Sequence, residues 1–425
     1  MTVSSRKARL QIVAFLAGNL ISLIGNTLTL VALPWFVLQQ TGSASKTGLT
    51  GMAFALPAFL AGIFGGILVD RLGGRRMSVI ADVMSGVSVA LIPILHLTVG
   101  LEFWQLLILV FLGAMLDIPG ITSRRTMLPG LGERANIRPE AMNSAFETTD
   151  AFAIIVGPAL AGVLIATTGA VNVLLFDAAT FAISAILIGL FTPTIKVASA
   201  PEKEAPVSPI ADILSGLRFI RADRLLFALA ITLIFTNFFN GPFFSVIMPV
   251  IVNDRYGSAS QYGLLLTAFG IGSLMGGIGF GMFGHRARSY RREIWIVGIA
   301  SVALLRWLIV PDLPYLWLFG AMAVAGLLSG PVSPLLVTVR FERIPPHLHG
   351  RVFASFAALA SIADPLGMAV IGNMIDRFGL EEMLVVTAVL FTLLLVALPS
   401  VRATRDMNQG SSAEEESLEL VGASE

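Results

Sequence analysis

Six carboxylic acids fall inside long apolar runs of this sequence: Asp82, Asp117, Glu147, Asp150, Asp177 and Asp364. A charge held at the middle of a bilayer costs roughly 3 kcal/mol on insertion scales. Each such acid therefore needs a cation, a water-filled cavity or a proton. Burial away from water disfavours the charged form of a carboxyl, which suits a group that takes up and releases a proton. At about 1.5 Å of rise per residue, Asp150 lies about three residues from the middle of the run 141–165, and Asp364 about one from the middle of 351–375. Glu147 is one helical turn from Asp150 and shares its face. Asp117 lies about five residues from the end of the run 102–122, at the same rise per residue. Asp117, Glu147, Asp150 and Asp364 are the candidates for proton coupling. A fixed ion pair is the competing reading for any one of them. Asp82, near the end of its run, is expected to pair with the cluster of Arg71 and Arg75.

Three further groups carry chemistry of other kinds. Gly66-Ile67-Leu68-Val69-Asp70-Arg71-Leu72-Gly73-Gly74-Arg75-Arg76 lies between two apolar runs. A carboxylate at a helix end can cap the N-terminus of a neighbouring helix and pair with arginines. Breaking those contacts would free packed bundles to rock; a role in topology alone is the alternative. Gly157, Pro158 and Gly162 permit close helix packing and a bend. In Phe235–Phe244, Asn237, Phe238 and Asn240 suit an apolar pocket with a few polar anchors. Asn19, Asn26 and Trp35 are their counterparts in the first run. Lipid-facing phenylalanines and packing asparagines are the other reading of these six.

The elements that must position these groups follow from composition. Of 425 residues, 56% are hydrophobic and only 13% charged, too few charges to cover a soluble surface. The apolar runs are unbroken, which excludes the alternating pattern of a membrane barrel and leaves helices. Twelve spans are predicted at 10–38, 45–69, 77–97, 102–122, 141–165, 170–192, 224–252, 258–283, 293–310, 314–338, 351–375 and 380–400. The basic start, Met1 to Arg9, leads into the first span without a small-residue cleavage site and reads as an uncleaved anchor. Of the 28 Lys and Arg residues, twenty-four fall on the side of the N-terminus, three on the other side, and Arg306 within a span. The positive-inside rule then places both termini in the cytoplasm, which requires an even number of spans.

The chain also repeats itself. Shifted by 215, residues 34–71 align without gaps on 249–286, with fourteen of 38 positions identical, including a shared Gly-Ser-Ala-Ser loop at 42–45 and 257–260. The shift covers six spans, so the halves insert the same way round, with a pseudo-two-fold axis along the membrane normal and a binding site between them. The predicted organisation is a bundle at 1–192, a linker at 193–223, a bundle at 224–400 and a disordered acidic tail at 401–425. Ile210, Ile213, Leu214, Leu217 and Ile220 share one face of the linker, which reads as a short helix on the membrane surface or as a simple tether. The net charge of +1 and the lack of a basic arm exclude a nucleic-acid partner. Absent cysteine excludes disulfides and thiol chemistry. Four histidines make no metal-ligand pattern, so neither a metal nor a cofactor is expected. No phosphate loop or nucleophile motif appears, which leaves ATP drive and enzymatic chemistry unsupported.

The Gly66–Arg76 run resembles the inter-helix signature of the major facilitator superfamily, matching at Gly66, Leu68, Asp70, Arg71 and Gly73. It departs at Gly74, where an arginine is usual, although Arg75 and Arg76 stand beside it. The second half keeps Gly281 and Arg286 but has His285 in the place of Asp70. Gly157-Pro158-Ala159-Leu160-Ala161-Gly162 resembles that superfamily's antiporter motif, with Ala161 for one glycine. Thr122 to Pro129, Asn143 to Glu147, Ile155 to Leu160, Pro345 to Val352 and Asp364 to Gly367 look like the macrolide-efflux and Tap-like drug:proton antiporters of bacteria.

The resemblance implies an all-α polytopic membrane protein with twelve transmembrane helices in two parallel six-helix repeats, the major facilitator fold. It implies proton-driven efflux of amphiphilic compounds through the bacterial inner membrane. The expected partners are a small-molecule substrate, protons and the lipid bilayer, with the protein a monomer. It also places Asp117 on a cavity-lining helix, gives Asp177 and Arg306 structural roles on peripheral helices, and puts Asp364 where that branch usually has a small residue. Export of an endogenous metabolite such as a siderophore, and a transporter-like sensor that moves nothing, are the competing readings.

Overall fold

The computed structural model describes residues 5–194, 209–400 and 402–408, with the side chains of 5, 61–70, 209–210, 285, 399–400 and 402 outside that set. Most of the predicted linker before Pro209 and the predicted acidic tail from Gly410 to Glu425 lie outside the described residues. So do the side-chain contacts expected of Asp70.

Long apolar segments become helices because lipid leaves the backbone no other partner for its amides and carbonyls. The chain runs as α1 Ser5–Thr41, α2 Ala44–Leu72, α3 Gly74–Thr98, α4 Phe103–Met115, α5 Asp117–Ala135, α6 Pro139–Thr168 and α7 Ala170–Phe191. After the linker come α8 Pro209–Ala222, α9 Arg224–Pro242, a π-turn at Phe243–Ile247, α10 Met248–Arg255, α11 Ala259–Phe283, α12 Arg291–Ile309, α13 Tyr315–Ser329, α14 Val332–Arg343, α15 His349–Phe378 and α16 Leu380–Ser400. Among the described residues, ten stretches are long and apolar enough to cross a membrane. The two other predicted spans are also helical, as α2 and α12.

Three spans are interrupted. The fourth breaks between α4 and α5 at Leu116, and the tenth breaks between α13 and α14 at Gly330 and Pro331. The seventh carries its π-turn just after Pro242, where a proline removes a ladder donor and loosens the helix. The fourth span also runs on to Ala135, well past its predicted end at 122. Gly42 and Gly257, equivalent across the repeat, have φ of 62° and 68°. A left-handed residue is needed to turn each chain sharply into the next helix, and only glycine takes it without strain.

The described chain forms two compact units. Among the described residues, the first joins 5–194 with 238–267 and 361–380; the second joins 209–237, 268–360, 381–400 and 402–408. In the first unit α1 packs on α6 and α7, α3 on α5 and α7, and α2 on α4. In the second, Trp295, Ile299, Leu335, Val339, Val352 and Phe356 form an apolar core.

The linker helix α8 belongs to that second core through Ile220, 2% exposed, while Leu214 remains 50% exposed. It docks on α15: Asp212 pairs with Arg351 at 2.8 Å, and the Ser355 hydroxyl donates to the Ile213 carbonyl at 2.8 Å. Asp223 caps α9, accepting from the amides of Leu225 and Leu226 at 2.9 Å each and from Arg343 at 2.8 Å. Burial alone would push this carboxyl up, but the amides and the guanidinium outweigh it and hold it below its ordinary value. Residues Arg402–Asn408, expected in the tail, form a 3-10 turn instead. Thr404 and Met407 are buried there, and Thr404 and Asn408 bond Arg292.

Candidate functional site

Inside the first unit lies a buried polar network centred on Arg124, which is 2% exposed on α5. Its guanidinium donates to Ser78 at 3.0 Å, to Asn19 at 3.1 Å, to Ser22 at 3.2 Å and to the Asp82 carboxylate, its ion-pair partner. Ser184 donates to the second Asp82 oxygen at 2.7 Å, and the Asn19 amide donates to Thr149 at 2.7 Å. Asn19, a candidate for the substrate cavity, is thus part of this network. Asp82 does not pair with Arg71 or Arg75. It lies eight residues into α3, about 12 Å along the axis, where it faces α5 and α7 and not the loop before α3. Arg75 is held elsewhere, by the Gly189 carbonyl and by Thr194 at 3.2 Å.

Arg124 was hidden in the sequence because it falls beyond the predicted fourth span and counts there as a loop cation. The usable signal was spacing: Asp117, Gly120 and Arg124 lie at i, i+3 and i+7, one face of a helix. The next residue, Arg125, points differently. It pairs with Glu147 at 3.0 Å and Asp150 at 3.4 Å, with the Arg125 and Glu147 side chains more than half exposed. One cation therefore serves two carboxylates.

A third group surrounds a cleft lined by Asn26, Thr29, Phe54, Ser85, Asp117 and Phe181, among others. The Ser85 hydroxyl is 2.8 Å from the Asp117 carboxylate and 2.7 Å from the Gly113 carbonyl. Thr29 donates to Asp177, which has no exposed surface. Asp364 sits on α15 against Gly241, where a Cβ would strike its carboxylate. The Phe238 carbonyl packs as tightly on Gly367. Asn237 bonds the Leu233 carbonyl of its own helix at 2.8 Å, and Asn240 is half-buried. Trp35 is buried and stacks on Tyr262 with ring centroids 6.1 Å apart.

The glycine motifs resolve into backbone packing. At Gly74 a Cβ would lie 2.9 Å from the Ser123 carbonyl and 2.7 Å from Met127 Cγ. Gly73 precedes it with φ 77°, and Arg71 and Arg76 are exposed. Gly157 lies against Thr27, the Pro158 carbonyl fills the space beside Gly263, and Gly162 faces the Ala259 carbonyl and Gly263 Cα. A matching set joins α2 and α15: Gly48 faces the Met368 carbonyl, and Gly372 faces the Ala44 carbonyl and Gly48 Cα. Ala44 and Gly48 are the repeat equivalents of Ala259 and Gly263, so the two contacts are copies of one another.

The α2 contact carries a charge. Asp376 accepts from the Ser43 hydroxyl at 2.5 Å and from the amides of Ala44 at 2.8 Å and Ser45 at 3.0 Å, capping α2. This acid lies one residue past its predicted span, outside the set of intramembrane acids. The sequence Gly372-x-x-x-Asp376-Arg377-Phe378-Gly379 repeats the form of Gly66-x-x-x-Asp70-Arg71-Leu72-Gly73, which was the available signal. Asp376→Asn removes the charge from the cap while keeping an acceptor. It should lower the thermal stability of the purified protein by about 0.5–1 kcal/mol; an unchanged melting temperature at low salt would show that the charge contributes nothing. Among the described residues no cluster of three His, Asp or Glu could hold a metal ion.

A model of the Major Facilitator Superfamily matches residues 15–368. The chain is 34% identical over 361 residues to the multidrug efflux pump Tap of Mycolicibacterium fortuitum, covering 84% of this chain and 87% of that one. It is 22% identical over 403 residues to macrolide efflux protein A of Streptococcus pyogenes, covering 92% and 96%. The crystal structure of the nucleoside transporter NupG superposes with a TM-score of 0.74 at 13% identity, covering 92% and 98%, a likeness of fold alone.

Proposed function

The chain belongs to the Major Facilitator Superfamily, and on that footing we propose that it exports amphiphilic, drug-like compounds across the bacterial inner membrane in exchange for protons. The observation that carries export is the 34% identity with a multidrug efflux pump across 84% of the chain. In this reading the chain is a transporter and not an enzyme. It works as a monomer with both termini in the cytoplasm, and two six-helix bundles at 1–192 and 224–400 rock about the substrate.

Exchange with protons draws support from the charges. Arg125 meets both Glu147 and Asp150, so one of the two acids is in excess of the cation. That acid is free to be charged or neutral, and a cationic substrate would compete with its proton. One charge moving through 100 mV is worth about 2.3 kcal/mol, enough for a single proton to sustain a useful gradient. Asp117 and Asp364 are further carriers in this reading. Asn26, Trp35, Asn237, Phe238 and Asn240 would contact substrate, and Asn19 would orient Arg124 beside it. Gly66, Asp70, Arg71, Gly73, Arg75 and Arg76 would latch the cytoplasmic end. Gly157, Pro158 and Gly162 would set the packing of the fifth span.

The test is drug susceptibility of an efflux-deficient bacterial host. Expression of the protein should raise resistance to several structurally different amphiphiles several-fold, and an uncoupler should abolish the accumulation difference. Unchanged susceptibility to every compound would sink the export reading. Resistance that an uncoupler leaves intact would sink the proton part.

A further inference from the structure

Asp177 holds a place that its position on a peripheral helix does not suggest. It has no exposed surface, yet no cation stands among its partners in the described residues. Thr29 of α1 donates to one carboxylate oxygen. Thr180, one turn along α7, lies 3.2 Å from the other. Gly25 of α1 completes the seat, since a Cβ there would collide with both the Thr180 hydroxyl and Asp177 Oδ1. Space for this carboxyl is thus built into α1.

We propose that Asp177 is a proton-holding site of the transport cycle, reached through the Asp117 cleft. The inference rests on the proton-exchange reading and names a carrier for it. The chemistry of the partners separates Asp177 from Asp82, its neighbour in the same bundle. Arg124 offers Asp82 only donors, so a proton on Asp82 would cost it that pair. A hydroxyl both donates and accepts. Thr29 and Thr180 can donate to a carboxylate or, after rotation, accept from a carboxylic acid, so both protonation states keep hydrogen bonds. An ionised carboxyl with no cation is expensive at bilayer depth, so the seat rests in the neutral state and gives up its proton when substrate or conformation demands.

The cleft supplies the route. Thr29 lines it together with Asn26, Ser85 and Asp117, among mostly apolar residues such as Leu33, Phe54 and Val89, so the residue that bonds Asp177 borders the same cleft as Asp117. On loading, a proton from water in the cleft bonds to Asp117. From there it passes by way of water in the cleft to the Thr29 hydroxyl, whose own proton moves on to the Asp177 oxygen it bonds as the incoming one replaces it. The net change is one carboxylate becoming one carboxylic acid, and release is the reverse. The titratable and charged groups that bear on the seat are few. From α3 comes Asp82 and from α5 Arg124, and these two are paired with each other; α5 also brings Asp117. Glu147 and Asp150 of α6 are paired with Arg125, and α1 presents Gly25 and Thr29 there.

The full-length protein in liposomes, with a pH dye and a cationic amphiphile that it exports, tests this. Wild type should release protons when the compound is added. Asp177→Asn should still bind the compound but release protons several-fold more slowly than wild type. Infrared difference spectra across a pH titration should show a protonated-carboxyl C=O band in wild type that is missing in Asp177→Asn. If wild type itself releases no protons, the exchange reading fails and this inference fails with it. If wild type releases protons while folded Asp177→Asn does so equally, with the band intact, exchange stands and the assignment to Asp177 is overturned. Should Asp177→Asn not fold, Thr29→Val decides the matter. It should slow release and shift the pH midpoint of the band; no change in either overturns the proposal.

Discussion

Arg124→Met should be the most damaging single substitution in the first unit, lowering stability by about 3–5 kcal/mol. The guanidinium is 2% exposed and is the ion-pair partner of Asp82. Removing it leaves a carboxylate buried without a cation, and leaves Asn19, Ser22 and Ser78 without their donor. The cost comes from the partner left behind more than from the lost pair itself. It follows that a second substitution should repair the first: Arg124→Met with Asp82→Leu should be clearly more stable than Arg124→Met alone, because a buried pair replaced by apolar groups of similar size is often neutral. Arg125→Met is the control. Its side chain is 51% exposed, and an exposed ion pair contributes up to about 1 kcal/mol. Thermal melting in detergent measures all three. An Arg124→Met protein that melts like wild type would show that Asp82 does not depend on this cation.

The course of the helices was legible because lipid leaves the backbone one solution. A run such as 141–165 had to be helical whatever its side chains did, and α6 spans it. The repeat was legible for a related reason: Gly42 and Gly257 both take a left-handed φ, which glycine adopts without strain. What stayed hidden was partner choice. Which arginine meets Asp82 depends on the rotation of α3 against α5 and on α5 continuing to Ala135. Hydropathy ends a span where charge begins, so it cut the helix before Arg124 and placed a core residue among the loop cations. The same rule left Asp376 just outside its span. Asp177 was visible as an acid in lipid, but the seat formed by Gly25 and Thr29 lies about 150 residues away along the chain, and no periodicity reports contacts at that range.

Gly263→Leu should force α6 away from the end of α11 that carries its Gly-Ser-Ala-Ser loop, the end expected outside from the distribution of Lys and Arg. Gly263 has the Pro158 carbonyl where a Cβ would be, and Gly162 Cα stands beside it. No rotamer of leucine avoids a backbone atom, so α6 and α11 must separate. Overpacking of this kind costs about 1–3 kcal/mol, and a bias of that size shifts a two-state population roughly 5- to 150-fold. On the proposed division into bundles at 1–192 and 224–400 this contact lies outside either bundle's core, so the protein should fold and reach the membrane while its transport falls. The cysteine-free chain makes the measurement direct. Val37 is 1% exposed near the same end of α1, and Val37→Cys is a small change. An impermeant thiol reagent added from outside should label that cysteine at least about five-fold faster with Gly263→Leu than without it. Gly48→Leu, the repeat equivalent against the Met368 carbonyl, should act in the same direction, and it also has to displace the Asp376 cap on α2. Equal labelling with and without both substitutions would mean that the glycine contacts are packing alone, and that the helix ends do not part there during transport.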